Sequence, residues 1–166
     1  SKPLVANLLG SGTILNEVIR AAEILEEKYG VSSNVYSVTS YKELRRDALE
    51  AERYNMLHPD KNEKVPYVST QIDNEGVLVA ASDYMKAIPD SISKWLPKRL
   101  YALGTDGFGR SEARAELRDF FEVDTKHIVF ASLYALHKEG KFKAADLKKA
   151  MRDLDINPEK LNPMIS

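Results

Sequence analysis

The sequence has no cysteine, no long apolar run and almost no net charge. Without cysteine there is no disulfide framework, thiolate nucleophile, iron–sulfur cluster or cysteine-based zinc site, and the cytoplasm is the default compartment. The 24 Lys and Arg residues balance 25 Asp and Glu residues, so no overall field favours nucleic acid or an anionic membrane. No apolar run approaches the roughly 20 residues that span a bilayer. We therefore predict a soluble cytoplasmic protein that binds neither nucleic acid nor membrane.

Familiar catalytic motifs are missing as well. No serine lies in a Gly-x-Ser-x-Gly elbow, and His58, His127 and His137 have neither metal-ligand spacing nor a recognisable carboxylate partner. We therefore predict no metal site and no catalytic residue. The stretch 138–152 carries six basic and two acidic residues, which favours a solvated helix face over a surface for an acidic partner.

Strand and helix patterns alternate along the chain. Apolar runs predict strands at 4–9, 34–38, 77–81 and 100–103. Three- and four-residue periodicities predict helices at 14–29, 41–57, 84–96, 111–121, 124–139 and 143–154. Thr13, Ser40 and Asp124 are the expected N-caps, and Gly30 and Gly140 the expected stops. This alternation predicts one domain over residues 1–166, a three-layer α/β/α fold with parallel strands.

Two glycine-containing turns are candidate sites. Gly10-Ser11-Gly12 lies between a strand and a helix, where a phosphate would meet a helix N-terminus, but Leu15 replaces the third glycine of the dinucleotide fingerprint. A tight structural turn is the favoured interpretation. The segment 104–111 contains Phe108 and Arg110 between glycines, and both residue types are enriched at protein interfaces. We predict that Phe108 and Arg110 contact another domain or subunit.

Gly104-Thr105-Asp106-Gly107-Phe108-Gly109-Arg110-Ser111, followed by Phe121-Glu122-Val123-Asp124, closely resembles the C-terminal domain of the homodimeric bacterial pyruvate dehydrogenases, a transketolase-like family. Further similar segments occur in the same order: Leu8-Leu9-Gly10-Ser11-Gly12, Ala21-Ala22-Glu23-Ile24-Leu25, Val35-Tyr36-Ser37-Val38-Thr39-Ser40, Glu52-Arg53-Tyr54-Asn55-Met56-Leu57-His58-Pro59, Val65-Pro66-Tyr67 and Ser82-Asp83-Tyr84-Met85-Lys86. Tyr54 replaces an expected tryptophan, and 60–64 is more charged than usual. The resemblance spans nearly the whole chain.

The resemblance implies a mixed, mostly parallel sheet of about five strands, and a chain that forms only the last domain of a longer enzyme. That enzyme would use thiamine diphosphate and magnesium, held by other domains, to decarboxylate pyruvate and pass the acetyl unit to lipoyl groups of the acetyltransferase component. Its partners would be its own remaining domains, its homodimer mate and that component. The Gly-Asp-Gly of the family's metal motif is absent here, so no cofactor residue is carried over. The competing hypothesis is a free-standing α/β module that binds a nucleotide or a protein.

Overall fold

Four parallel strands form the sheet of the described chain, which comprises residues 3–106 and 114–164 of the computed structural model. They are β1 (Leu4–Gly10), β2 (Val31–Ser37), β3 (Val77–Ala81) and β4 (Leu100–Leu103), in the order β2-β1-β3-β4. Leu4 pairs with Val31, and Leu78 pairs with Leu100. The resemblance implied a mixed, mostly parallel sheet of about five strands; the described residues contain four strands, and all four run parallel.

Seven helices connect and cover the strands in the described part of the chain. They are α1 (Leu15–Tyr29), α2 (Tyr41–Leu57), α3 (Tyr67–Gln71), α4 (Ala87–Asp90), α5 (Arg114–Phe120), α6 (Thr125–Lys138) and α7 (Ala144–Asp153), with 3-10 turns at Gly12–Ile14 and Ser93–Trp95. None of the described helices is long and apolar enough to cross a membrane.

The two faces of the sheet carry separate hydrophobic cores. Ala6 and Leu8 of β1 pack in the core that includes α1, α6 and α7. Leu9, the next residue of β1, packs in the opposite core with Tyr41 of α2 and Val68 of α3. Because successive side chains of a strand point to opposite faces, one strand serves both cores. The predicted three-layer α/β/α architecture is confirmed.

Helix ends follow the predicted caps with one exception. Ser40 Oγ accepts the Glu43 N–H at 3.1 Å, Asp124 Oδ1 accepts the His127 N–H at 3.3 Å, and Gly30 ends α1 with a φ of 65°. The prediction for Thr13 was wrong. It lies inside the 3-10 turn that precedes α1, and its hydroxyl donates to a distant carboxylate.

Candidate functional site

The carboxyl ends of the strands meet at one edge of the sheet, here termed the carboxyl edge. From β1 the chain enters α1 on one face, and from β2 it enters α2 on the other. Since β1 lies between β2 and β3, the crevice between the ends of β1 and β3 is the topological switch point. Open α/β sheets bind ligands at such a point, so this crevice is a candidate ligand site.

A polar network fills this switch point. Arg118 of α5 donates to Thr13 Oγ1 at 2.8 Å and lies 3.3 Å from a Glu17 carboxylate oxygen. Thr13 in turn donates to Asp83, just beyond β3, at 3.0 Å. The Arg118 and Glu17 side chains are only 17% and 13% exposed. The crevice is therefore occupied by side chains of this chain, in which one arginine faces the two carboxylates of Glu17 and Asp83.

Glu17 extends the network to α6. Its carboxylate accepts the Thr125 N–H at 3.1 Å and also accepts the Thr125 hydroxyl. Glu17 thus joins the first turn of α1 to α5 through Arg118 and to α6 through Thr125. Sequence reasoning missed this cluster, because Glu17 contacts Arg118 and Thr125 across 101 and 108 residues of sequence, and the three residues belong to no local motif.

The glycines of the turn after β1 have structural reasons. A Cβ on Gly10 would lie 2.9 Å from a Val18 methyl group, too close for the packing of α1 on β1. Gly12 has a φ of 58°, a left-handed conformation that favours glycine. The nearby carboxylates of Glu17 and Asp83 would also repel a phosphate. These contacts favour the structural interpretation of the turn over nucleotide binding.

The first residues of the glycine-rich segment, 104–106, are held at the carboxyl edge by hydrogen bonds; we call them the pinned segment. The Thr105 N–H donates to the Tyr84 carbonyl at 2.9 Å, and the Thr105 hydroxyl donates to the Asp83 carbonyl at 2.7 Å. The Lys86 N–H donates to Asp106 Oδ1 at 2.8 Å. Residues 107–113, including the predicted contact residues Phe108 and Arg110, lie outside the described residues.

Exposed apolar side chains flank the pinned segment. Tyr84 and Met85 are 54% and 59% exposed, and Met164 is 51% exposed. Met164 lines a cavity of about 250 Å³ together with Gly104 and Asp106. Tyr84 and Met85 directly precede Lys86, which lines the same cavity, so the three exposed apolar side chains belong to one region of the surface. Exposed apolar groups in one region mark interaction surfaces. We call Tyr84, Met85 and Met164 the edge cluster.

His127 has a carboxylate partner that the sequence analysis did not foresee. Its Nδ1 lies 2.5 Å from Asp124 Oδ1, and the residue is 8% exposed. The prediction that no histidine pairs with a carboxylate was therefore wrong; the Asp-x-x-His spacing at a capped helix start was the available signal. Ligand atoms of Asp119, Asp124 and His127 lie within 4.8 Å of one another.

A metal at this cluster would have to compete with a cation of the chain. Lys126 Nζ lies 2.9 Å from Asp119 Oδ1, and this bond holds the pKa of the Asp119 carboxyl below its ordinary value. The arrangement is explained by an ion pair and a helix cap without a metal ligand set. His58 and His137 each bond a backbone carbonyl through Nδ1, at 2.8 Å.

Comparison of the sequence with known protein families finds a family of α/β domains. The model of the transketolase-like TK C-terminal domain matches residues 2–124. That segment includes all four strands, both sides of the switch point and the Asp124 cap.

Curated relatives extend the match to nearly the whole chain. A protein of Pseudomonas aeruginosa is 46% identical over 159 residues, which is 95% of this chain, and one of Escherichia coli K12 is 46% identical over 160 residues, or 96%. One of Haemophilus influenzae is 44% identical over 158 residues, or 95%. All three bear the name pyruvate dehydrogenase E1 component. The chain spans 18% of the length of each relative.

Proposed function

Because the chain belongs to the transketolase-like C-terminal domain family, we propose that it is the C-terminal domain of a pyruvate dehydrogenase that uses thiamine diphosphate. The parent enzyme decarboxylates pyruvate and transfers the acetyl unit to lipoyl groups of the acetyltransferase component. We place that enzyme in the bacterial cytoplasm, as a homodimer. The observation that carries the proposal is 46% identity over 95% of the chain to a pyruvate dehydrogenase E1 component.

The domain acts in this proposal through packing, with the chemistry assigned to other domains. Its residues do not fit a thiamine diphosphate site: the metal motif Gly-Asp-Gly is absent. The nearest string contains Asp106, whose carboxylate accepts the Lys86 N–H and so anchors a loop. The switch point is filled by Arg118 and Glu17. These contacts support a structural and organisational role.

The carboxyl edge is the surface that we assign to the remaining enzyme. Phe108 and Arg110 are the proposed anchors; in the sequence they lie between Thr105, which is bonded at the carboxyl edge, and α5. The exposed edge cluster beside this loop supports the assignment. Aromatic and arginine anchors at a packed interface typically contribute about 2 kcal/mol or more each. The lipoyl acetyltransferase component is a further proposed partner of the whole enzyme.

A chimera tests the proposed function. The C-terminal segment of the Escherichia coli relative that matches this chain would be replaced by residues 1–166, and pyruvate-dependent turnover would be measured with and without thiamine diphosphate. We expect the chimera to keep activity and cofactor dependence, while truncation before the segment lowers yield or assembly. An unrelated α/β domain in the same place is the matched control. The proposal is wrong if the chimera assembles no better than that control.

The isolated chain gives the second measurement. Titration with thiamine diphosphate and magnesium should release no saturable heat, and pyruvate should not be turned over. Saturable heat with ATP or NAD would instead support the free-standing nucleotide module. The double variant Phe108→Ala with Arg110→Ala should leave the melting temperature of the isolated chain nearly unchanged and weaken assembly of the chimera. If it unfolds the chain and spares the chimera, the assignment of the interface fails.

A further inference from the structure

A groove of about 420 Å³ follows the outer side of β4. Residues 99–103 all line it, and Phe130, Ala131 and Tyr134 of α6 line it from one side. In the described part of the chain β4 pairs with β3 on its inner side and with no strand on its outer side. Backbone donors and acceptors on such an edge are a template for another strand.

The wall of the groove is aromatic and partly exposed. Tyr101 and Tyr134 meet edge to face with ring centroids 5.9 Å apart, and Tyr134 is 39% exposed. Leu103 is half-buried at the other end of the strand. An open strand edge beside an apolar helix wall is the arrangement with which proteins bind an extended peptide by β-strand addition.

The two ends of the groove carry opposite charges. Arg99, exposed, lies directly before β4. Asp90 and Glu122 line the groove at the other end, where Glu122 also borders the cavity that contains Gly104. Burial, and then the neighbouring Asp106, raise the pKa of the Asp90 carboxyl against the opposing effect of Lys86. The carboxylates of Asp90, Asp106 and Glu122 face two lysines at this end, Lys86 and Lys160, whose Nζ lies 4.0 Å from Glu122. A further cation delivered there would offset the remaining negative charge.

We propose that the groove between β4 and α6 binds an extended peptide segment that adds a strand to β4, with a basic side chain at the Leu103 end and an acidic side chain at the Arg99 end. Four residues of strand at about 3.3 Å each separate the two charged ends, so the segment has four or five residues. Between its charged ends it presents apolar side chains to Tyr101 and Tyr134.

The shape of the groove favours a peptide over a second copy of the chain. β4 lines the groove along its length, and side chains of α6 and Asp90 of α4 line it as walls. A single extended strand fits between these walls, whereas a second copy would bring its own walls to the same edge. An extended peptide can also lie in either direction, so the segment needs one charge of each sign but no fixed order of charges.

Three labelled pentapeptides test the proposal on the 166-residue chain. All three are acetylated at the N-terminus and amidated at the C-terminus, and all three have Val-Thr-Val as their central residues. The first peptide has Glu at one end and Lys at the other, the second has Glu at both ends, and the third has Lys at both ends. Affinity is read from fluorescence anisotropy, and the site is read from amide chemical shifts. We expect the mixed-charge peptide to bind about tenfold more tightly than either other peptide, with shifts concentrated at residues 99–103 and 127–134. Proline in place of the central threonine should abolish binding, because it removes a backbone donor.

Charge variants make the test specific. Arg99→Glu should shift the preference to the peptide with two Lys, and Asp90→Lys should shift it to the peptide with two Glu. Arg20→Glu, an exposed charge reversal on α1, is the matched control and should change nothing. The proposal is overturned if no shifts occur in the groove at 2 mM peptide, if the three peptides bind equally, if the proline peptide binds as well, or if sedimentation shows that a second copy occupies the edge.

Discussion

Replacing Arg118 by methionine tests the network at the switch point. The change keeps the length of the apolar stem but removes the guanidinium that bonds Thr13 and faces Glu17 at 3.3 Å. Breaking one side of a buried ion pair costs about 3–5 kcal/mol. Because the two side chains keep 17% and 13% exposure, we expect the lower end, about 3 kcal/mol. For a chain of this size that is a fall in melting temperature of roughly 6–12 °C.

The measurement is urea unfolding followed by circular dichroism, with the slope against urea compared to confirm that the native state is unchanged. Arg46→Met is the matched control, since Arg46 pairs with Glu43 at 2.6 Å but the two side chains are 67% and 57% exposed. That exposed pair should contribute about 0.3–0.5 kcal/mol. If Arg118→Met and Arg46→Met lose similar stability, the network does not hold α5 and α6 to α1 as inferred.

Two further substitutions follow from the same structure. Gly104→Ala should lower the free energy of unfolding by about 1–3 kcal/mol, because its Cβ would lie 2.5 Å from the Tyr84 carbonyl oxygen. Gly30→Ala should lower the free energy of unfolding by about 1–2 kcal/mol, because the φ of Gly30 is left-handed although the space around it is open. Urea midpoints equal to that of the wild type for both variants would contradict the argument. The pKa of the Asp119 carboxyl is lowered in the fold, so its contribution to stability is present above about pH 3.8 and disappears as the pH falls through the lowered value. Lys126→Met should therefore reduce the stability lost between pH 5 and pH 2, and an acid titration curve parallel to wild type would refute it.

Local patterns were sufficient to predict much of the fold. The strands β1, β3 and β4 were predicted within one residue, because each is a short apolar run with a turn signal beside it. Ser40 and Asp124 were predicted as caps from the spacing of their own neighbours. Each of these features depends on residues no more than a few positions apart, which a single sequence contains directly.

Two errors had identifiable causes. β2 begins at Val31, three residues before the predicted start, because Ser32 and Ser33 pair with β1 despite weak strand propensity. The region 84–96 contains only the four-residue α4 and a 3-10 turn, where a longer helix was predicted across Pro89. In both cases pairing or packing with distant elements decided the outcome.

The candidate sites were predicted less completely than the fold. The glycine-rich loop was identified as unusual, but the network of Arg118, Glu17 and Thr125 was not, because its contacts join residues more than 100 positions apart. Nor could a strand pattern reveal which side of β4 pairs with no other strand of the described residues. Such features depend on the order of strands in the sheet, which local periodicity does not specify. Phe108 and Arg110 remain predictions.

The helix α6, which packs against α1, follows it only after a long stretch of sequence, and this has a consequence for synthesis on the ribosome. The apolar face of α1, with Val18 and Leu25, packs against α6, which ends at Lys138. At 5–20 residues per second, the roughly 110 residues from the end of α1 to the end of α6 take about 5–20 s to be translated. During that interval β1 and β2 can cover part of α1, but the part that packs against α6 stays exposed on the nascent chain. Chaperone cross-linking to α1 should therefore occur on nascent chains stalled after β3 and vanish once α6 has emerged, and equal cross-linking at both lengths would contradict this.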